Sequence, residues 1–449
     1  MDQSISRRRS LALTSLAHFI NDGTVFFVPV IAAIVASHGG VSAAVVTLLF
    51  FTFYGTSTLL SLFVGRLSDR LGRPASLMGL GLAILSLGLL AFYLALAETS
   101  GTALVIALLL AAALTGVGSS FYHPLGASVL QSTFRGRSMG TALGVNGALG
   151  SLGRALYPSL YFAAAAVIAG YGSIALFAAV GLAAALAISL GVRVPQATAT
   201  PGRTAFPDTG HASATGTPHA AITPPESPLP VPSTGPSATP IGGDPGPAPR
   251  PRDALTRGIL ILTVVAFLRS SATQGIASWI PTYLATQKGL GVSGNLGLAV
   301  STMYAAAIIG QPVFGMLVDR IDKRAVLALS STGAAVTTIG YLALGPGWLG
   351  EAWLFAFGFF VFSGFPLLLS MVGDYVPRGG SSLANALVWG IGSTAGGIVG
   401  PLITGALIGT DYGRLGFAFV VLAIASLASA GATVLIPPAA HASRMRAFG

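Results

Sequence analysis

Residues 11–36 form one unbroken apolar stretch with three polar residues, His18, Asn21 and Asp22, in its middle. A bilayer-spanning helix needs about 20 mostly apolar residues at 1.5 Å rise each, so the stretch is long enough to cross. Hydrocarbon leaves backbone groups no partner but each other, which makes the helix the expected form. A carboxylate near the centre of such a helix costs at least roughly 2.5 kcal/mol. It is retained where it faces a polar cavity or a partner. His18 and Asp22 are four residues apart and therefore share one helix face.

The pattern recurs. Twelve apolar segments are expected, at about 11–36, 42–65, 75–97, 102–131, 138–169, 173–192, 258–286, 294–318, 325–345, 351–372, 382–409 and 415–437. Only 8% of the residues are charged, against about 25% in soluble domains. The fold class expected is therefore an all-α membrane protein of twelve transmembrane helices. Fifty-nine glycines suit helices that approach closely in lipid. The chain has no cysteine, which excludes disulfides and thiolate metal sites. The first apolar run is too long for a signal-peptide core.

Between the sixth and seventh segments lie residues 193–257, with fifteen of the 27 prolines. Their composition buries too little apolar surface to offset ordering entropy. The expected division is thus a six-helix bundle over 1–192, a disordered linker over 193–257 and a second bundle over 258–449. The net charge of +10 raises nucleic acid as a partner. The basic residues instead sit at segment ends: 19 on one side, two on the other (Lys288 and Arg414), and two inside segments (Arg154 and Arg269). That bias places both termini and the linker in the cytoplasm of a multi-pass plasma (inner) membrane protein.

The halves repeat each other. Gly65, Asp69 and Arg70 return as Gly315, Asp319 and Arg320, while Pro124 and Pro158 return as Pro366 and Pro401. Two halves in the same orientation are parallel repeats about an axis along the membrane normal. The sequence Gly65-x-x-x-Asp69-Arg70-x-Gly72-Arg73 resembles the signature of the major facilitator superfamily between its second and third helices. Pro74 stands where a second basic residue is usual, and the second copy has Asp322 in place of a glycine. The resemblance implies two six-helix bundles around a central cavity, with alternating access. It gives Gly65, Asp69, Arg70, Gly72, Arg73, Gly315, Asp319 and Arg320 a gating role. The alternative for these charges is simple anchoring at the cytoplasmic interface.

His18-Phe-Ile-Asn21-Asp22, the run from Gly116 through His123-Pro124, the glycine-rich stretch 144–153, and Arg269 with the Ile280-Pro-Thr-Tyr-Leu284 stretch resemble the fosmidomycin-resistance branch of that superfamily. In that branch the fifth segment tends to Leu-Gly-Pro; here Leu152-Gly153 is followed by Arg154. The resemblance implies proton-coupled efflux of small drugs, and a fold in which Asp22, His123, Arg154 and Arg269 face one space.

The chemistry of each side chain suggests its role. Asp22, with His18 and His123, is the candidate proton-coupling group, since imidazoles titrate near neutrality and a carboxylate takes either protonation state according to its surroundings. Arg154 and Arg269 present forked donors suited to a phosphonate, phosphate or carboxylate. Asn21, Asn146 and Gln274 add neutral hydrogen bonds to a substrate. Structural alternatives stand beside some of these roles: Asp22 locked to Arg154 or Arg269, His123 bonding backbone freed by Pro124, and Arg154 paired with a carbonyl or carboxylate between helices. Trp279 and Trp389 either stack on substrate or pack.

The expected function is proton-coupled antiport of small anionic or zwitterionic organic compounds. The alternatives are proton symport of an organic anion, a non-transporting sensor acting through the linker, and a membrane hydrolase using His123 and Asp22. No serine elbow, metal motif or paired carboxylate supports a hydrolase, and no Gly-Lys-Ser/Thr phosphate loop supports ATP use. The expected partners are a small-molecule substrate, protons and the lipid bilayer. No nucleic acid, metal or cofactor is expected, and the chain is expected to act as a monomer.

Overall fold

The computed structural model describes residues 3–38, 40–134, 137–192, 256–345, 347–375, 384 and 386–438. The linker expected over 193–257 falls almost wholly outside them, as do the side chains of Asp69 and Trp389. The described residues are helical throughout their ordered elements. The first half runs α1 (Gln3–Ser37), α2 (Ala43–Leu71), α3 (Pro74–Glu98), α4 (Gly101–Ser119), α5 (Tyr122–Thr133), α6 (Arg137–Ala165) and α7 (Gly172–Gly191). The second runs α8 (Arg257–Thr286), α9 (Gly294–Arg320), α10 (Lys323–Ala343), α11 (Trp348–Phe362) and α12 (Gly364–Tyr375). It ends with a π-helix (Ala386–Ala395), α13 (Gly396–Ile408) and α14 (Leu415–Ala432).

Ten spans among the described residues are long and apolar enough to cross a membrane. The two expected segments outside that set are the fifth and tenth. The fifth, α6, carries Asn146 and Arg154; the tenth is divided between α11 and α12.

That division has a twin. The fourth segment breaks at Ser120 and Phe121, and the tenth at Ser363. In each case a proline follows, Pro124 or Pro366, four residues after Ser120 or Phe362, and a proline has no N–H to bond the carbonyl four residues back. The repeat expected from sequence spacing thus appears as two broken helices in matching places.

Within the first half, α1 packs along α6, and glycines set how closely. A Cβ built on Gly153 would lie 2.1 Å from the carbonyl oxygen of Phe19, and one on Gly150 only 2.4 Å from the His18 ring. No side chain fits at either position. The same device joins α8 to α13, where a Cβ on Gly400 would lie 2.2 Å from the Ser271 carbonyl oxygen.

The halves meet along α1 with α8, α2 with α13 and α6 with α9. The polar contacts between them are Tyr54–Ser278 (3.1 Å), Ser159–Ser301 (2.8 Å) and Tyr412 donating to the Val41 carbonyl (3.3 Å). Phe26 meets Tyr304 and Phe362 edge-on, and Phe50 meets Trp279. All of these lie from mid-depth toward the end that holds the α1–α2 turn. These described contacts close the molecule at the end that holds the α1–α2 turn. Trp279 belongs to this packing: it is fully buried and donates from Nε1 to the Pro401 carbonyl at 3.2 Å.

Candidate functional site

A cavity of about 530 Å³ lies between the halves. Its first-half wall includes His18, Asp22, His123 and Arg154; its second-half wall includes Arg269 and Gln274. The α1–α6 glycine contact puts His18 and Asp22 against Asn146 and Arg154, and the break between α4 and α5 delivers Tyr122 and His123 to the same spot.

Asp22 is the hub. It is buried, yet His18 Nε2 lies 3.3 Å from Oδ2, His123 Nε2 lies 3.4 Å from Oδ1, and Arg154 Nε lies 3.6 Å from Oδ2. Asn21 donates to Oδ1 from Nδ2 at 3.1 Å. Arg154 donates to Ser151 Oγ at 2.8 Å and lies over the Phe26 ring, 5.0 Å from its centroid. Its Nε has no hydrogen-bond partner.

The far side of His18 fixes its tautomer. Nδ1 lies 2.8 Å from the Asn146 backbone carbonyl oxygen and 3.0 Å from Asn146 Oδ1. A carbonyl oxygen only accepts, so Nδ1 carries a hydrogen. In a neutral ring Nε2 would then present a lone pair to a carboxylate oxygen, two acceptors facing each other. The contact closes with one proton between them, carried by His18 or by Asp22. Tyr122 completes the cradle. Its ring stacks on His18 at 4.7 Å, and its hydroxyl donates to the Thr14 carbonyl (3.1 Å) while accepting from Asn146 Nδ2 (2.9 Å).

Tyr122 was not among the candidates read from the sequence. The signal was present: it adjoins His123-Pro124, and the residues before a proline break project away from the regular helix. Asn21 and Asn146, expected to touch substrate, are both buried and turned to the cluster. His123, by contrast, has 63% of its side chain exposed to the cavity.

Arg269 sits on the opposite wall. One of its terminal nitrogens donates to Ser330 Oγ (2.8 Å) and to the carbonyls of Phe360 (3.2 Å) and Val361 (3.0 Å). These carbonyls end α11 and lose their helical partners at the Ser363 break. Gly364 makes room, since a Cβ there would lie 2.5 Å from the guanidinium. Gln311 donates to the Phe362 carbonyl at 3.4 Å. Arg269 is buried, and no carboxylate pairs with it among the described residues. Gln274 lines the cavity.

Of the expected gating residues, Arg70, Arg73, Asp319 and Arg320 are exposed, and Gly72 ends α2 with φ 62°. Gly65 and Gly315 have open space where a Cβ would stand. Asp319 and Arg320 make no hydrogen bond or ion pair among the described residues. Nearby, Lys323 pairs with Asp374 at 2.7 Å, tying the start of α10 to the end of α12, and Arg324 pairs with Asp322 at 2.6 Å.

The family model of the Major Facilitator Superfamily matches residues 13–388 and 290–446. The fosmidomycin resistance protein of Escherichia coli K12 is 26% identical over 388 residues, 86% of this chain and 84% of that protein. The multidrug resistance protein MdtG of Yersinia enterocolitica is 26% identical over 184 residues, 37% of this chain and 41% of that protein. Among solved structures, a bacterial homolog of the human lysosomal transporter Spinster, inward-facing and unoccupied, superposes with a TM-score of 0.66 at 16% identity, covering 96% of this chain and 95% of that one. The nucleoside transporter NupG superposes with a TM-score of 0.65 at 12% identity, covering 95% and 98%. A helical membrane protein of two repeated halves around a central cavity, the chain belongs to the major facilitator superfamily of transporters.

Proposed function

We propose that this transporter is a proton-coupled antiporter that exports small zwitterionic or anionic organic compounds by alternating access. The observation that carries the reading is the His18–Asp22 contact at 3.3 Å, which needs one proton because the Asn146 carbonyl already holds the Nδ1 hydrogen. Asp22 and the two imidazoles carry the proton, and Arg154 and Arg269 offer charge to the substrate. The seal lies on the side away from the basic segment ends. With the positive-inside orientation the structure is then inward-facing, with both termini in the cytoplasm of the plasma membrane. Asp319 and Arg320, with the matching charges after α2, form their contacts when that side closes. The cavity is built by one chain alone, which supports a monomeric transporter.

Linkage refines the substrate class. Antiport requires that substrate and proton oppose each other's binding. A plain anion near Arg154 would draw the guanidinium from Asp22 and favour the proton, which is the signature of symport. A compound whose donor or cationic group reaches Asp22 and His123, while its anionic group reaches Arg269, takes the place of the proton. Fosmidomycin, named by the E. coli relative, is the first compound to test.

The test is drug movement in proteoliposomes under an imposed pH gradient, with Asp22→Asn beside wild type. Antiport predicts that wild type moves fosmidomycin against an opposing proton flux, while Asp22→Asn still binds it but ignores the gradient. Movement in the same direction as protons would establish symport instead. If wild type neither binds nor moves the drug, the substrate reading fails.

A further inference from the structure

We propose that His18, Asp22 and His123 form a binding site for a divalent transition-metal ion of the zinc class, open to the cavity. No metal is expected from the sequence, where the three ligands come from two segments with no ligand spacing to read, His123 lying about 100 residues after His18 and Asp22. The fold brings His18 Nε2, His123 Nε2 and the Asp22 carboxylate together so that all lie within 4.8 Å of one another.

The spacing fits. With metal–nitrogen and metal–oxygen bonds of about 2.0–2.2 Å, tetrahedral ligand atoms lie roughly 3.3 Å apart. His18 Nε2 stands 3.3 Å from Asp22 Oδ2 and His123 Nε2 3.4 Å from Oδ1, so each imidazole meets a different carboxylate oxygen at ligand spacing. The remaining adjustment falls on His123, whose side chain is 63% exposed and which, among the described residues, has no hydrogen-bond or ion-pair partner but Asp22, its ring standing edge-on to His18 and Tyr122. The cavity face leaves a position for water or for an anionic ligand. Two imidazoles and a carboxylate with an open position suit zinc and its neighbours.

The outer shell is also in place. Ligating histidines characteristically donate their second ring N–H to a carbonyl or carboxylate, which fixes the tautomer and aims the lone pair at the metal. Here the Asn146 carbonyl holds His18 Nδ1 at 2.8 Å, and Tyr122 stacks on the same ring. Arg154 opposes the ion: its Nε is 3.6 Å from Asp22 Oδ2. Its guanidinium, held by Ser151 and lying on Phe26, stands beside the three ligands rather than among them. The site therefore binds a metal with moderate affinity, limited by that one positive charge.

The proposal stands apart from the transport reading, since binding is measured on the purified full chain. The probe is Zn²⁺ alone, titrated calorimetrically into protein carrying a histidine-free tag at one fixed neutral pH. His38, His211, His219 and His441 are replaced by Gln, so that only the two cavity histidines remain. One ion per chain is expected. His123→Ala, at an exposed position that leaves the fold intact, should weaken binding by about tenfold or more, the scale on which lost support is felt in metal sites. Arg154→Gln should tighten it by roughly threefold or more, since a like charge is removed. Zinc X-ray absorption on the four-histidine variant should count two imidazoles, a readout independent of any cavity substitution. No binding to that variant, equal binding by His123→Ala, or fewer than two imidazoles would overturn the site.

Discussion

A single methyl group at Gly153 should separate the His18–Asp22 cluster from its support. The Cβ of Gly153→Ala would lie 2.1 Å from the Phe19 carbonyl oxygen, whereas real Cβ contacts stay above 3.0 Å. Neither neighbour is a flexible side chain, so α1 and α6 must part by about 1 Å. That shift takes His18 Nδ1 from 2.8 Å to about 3.8 Å from the Asn146 carbonyl, beyond hydrogen bonding. It takes Arg154 Nε from 3.6 Å to about 4.6 Å from Asp22, outside ion-pair range. Overpacking of this kind costs about 1–3 kcal/mol, partly offset by about 1 kcal/mol of helix propensity gained on replacing glycine. Gly144→Ala on the same helix meets nothing within 4 Å and keeps only the gain. In detergent, Gly144→Ala should melt at or above the wild-type temperature and Gly153→Ala below it. In proteoliposomes, Gly153→Ala should lose the dependence of drug movement on the pH gradient while Gly144→Ala keeps it. Wild-type stability and wild-type gradient dependence in Gly153→Ala would refute the view that α1–α6 contact sets the cluster's geometry.

Tyr54→Phe removes the 3.1 Å bond to Ser278 on the sealed side and should weaken that seal by about 0.5–1.5 kcal/mol. Because the chain has no cysteine, a single reporter from Thr58→Cys on the cavity wall reads the change as faster labelling from the sealed side. Asn146→Ala leaves the backbone carbonyl on His18 and removes an amide bonded to His18 and Tyr122, so KM for transport should stay unchanged while stability falls by about 1 kcal/mol. Arg269→Gln strips donors from the carbonyls of Phe360 and Val361 and should destabilise the protein by at least about 2 kcal/mol, read as an earlier melt. Full stability in that variant would detach Arg269 from the break between α11 and α12.

The sequence made the spans legible because lipid permits so few solutions: apolar length, prolines 242 or 243 residues apart and basic ends are one-dimensional signals. His18 and Asp22 were also readable as a pair, being one helical turn apart. Their joining to Asn146 and Arg154 depended on Gly150 and Gly153, and a glycine's role as a missing side chain is visible only once its neighbour is known. Pro124 and Pro366 signalled helix trouble, but Pro29, Pro158, Pro281, Pro312 and Pro401 lie inside unbroken helices. A proline breaks a helix only where the freed groups find other partners, as Arg269 and Gln311 provide at α11. The π-helix from Ala386 to Ala395, which turns Ser393 and Thr394 toward the cavity, left no trace in apolar periodicity.

The two halves share a plan but no longer share chemistry. Among the described residues, every carboxylate and imidazole on the cavity wall belongs to the first half, while the wall of the second offers a lone guanidinium, amides and hydroxyls. A duplicated scaffold divided in this way can drift on one side without disturbing the other. On the proposed function, changes around Gln274, Ser393 or Thr394 would alter second-half contacts to the substrate and leave His18, Asp22 and His123 in place. Selection for a new cargo therefore has, in the second half, a wall on which to work away from the His18–Asp22–His123 cluster.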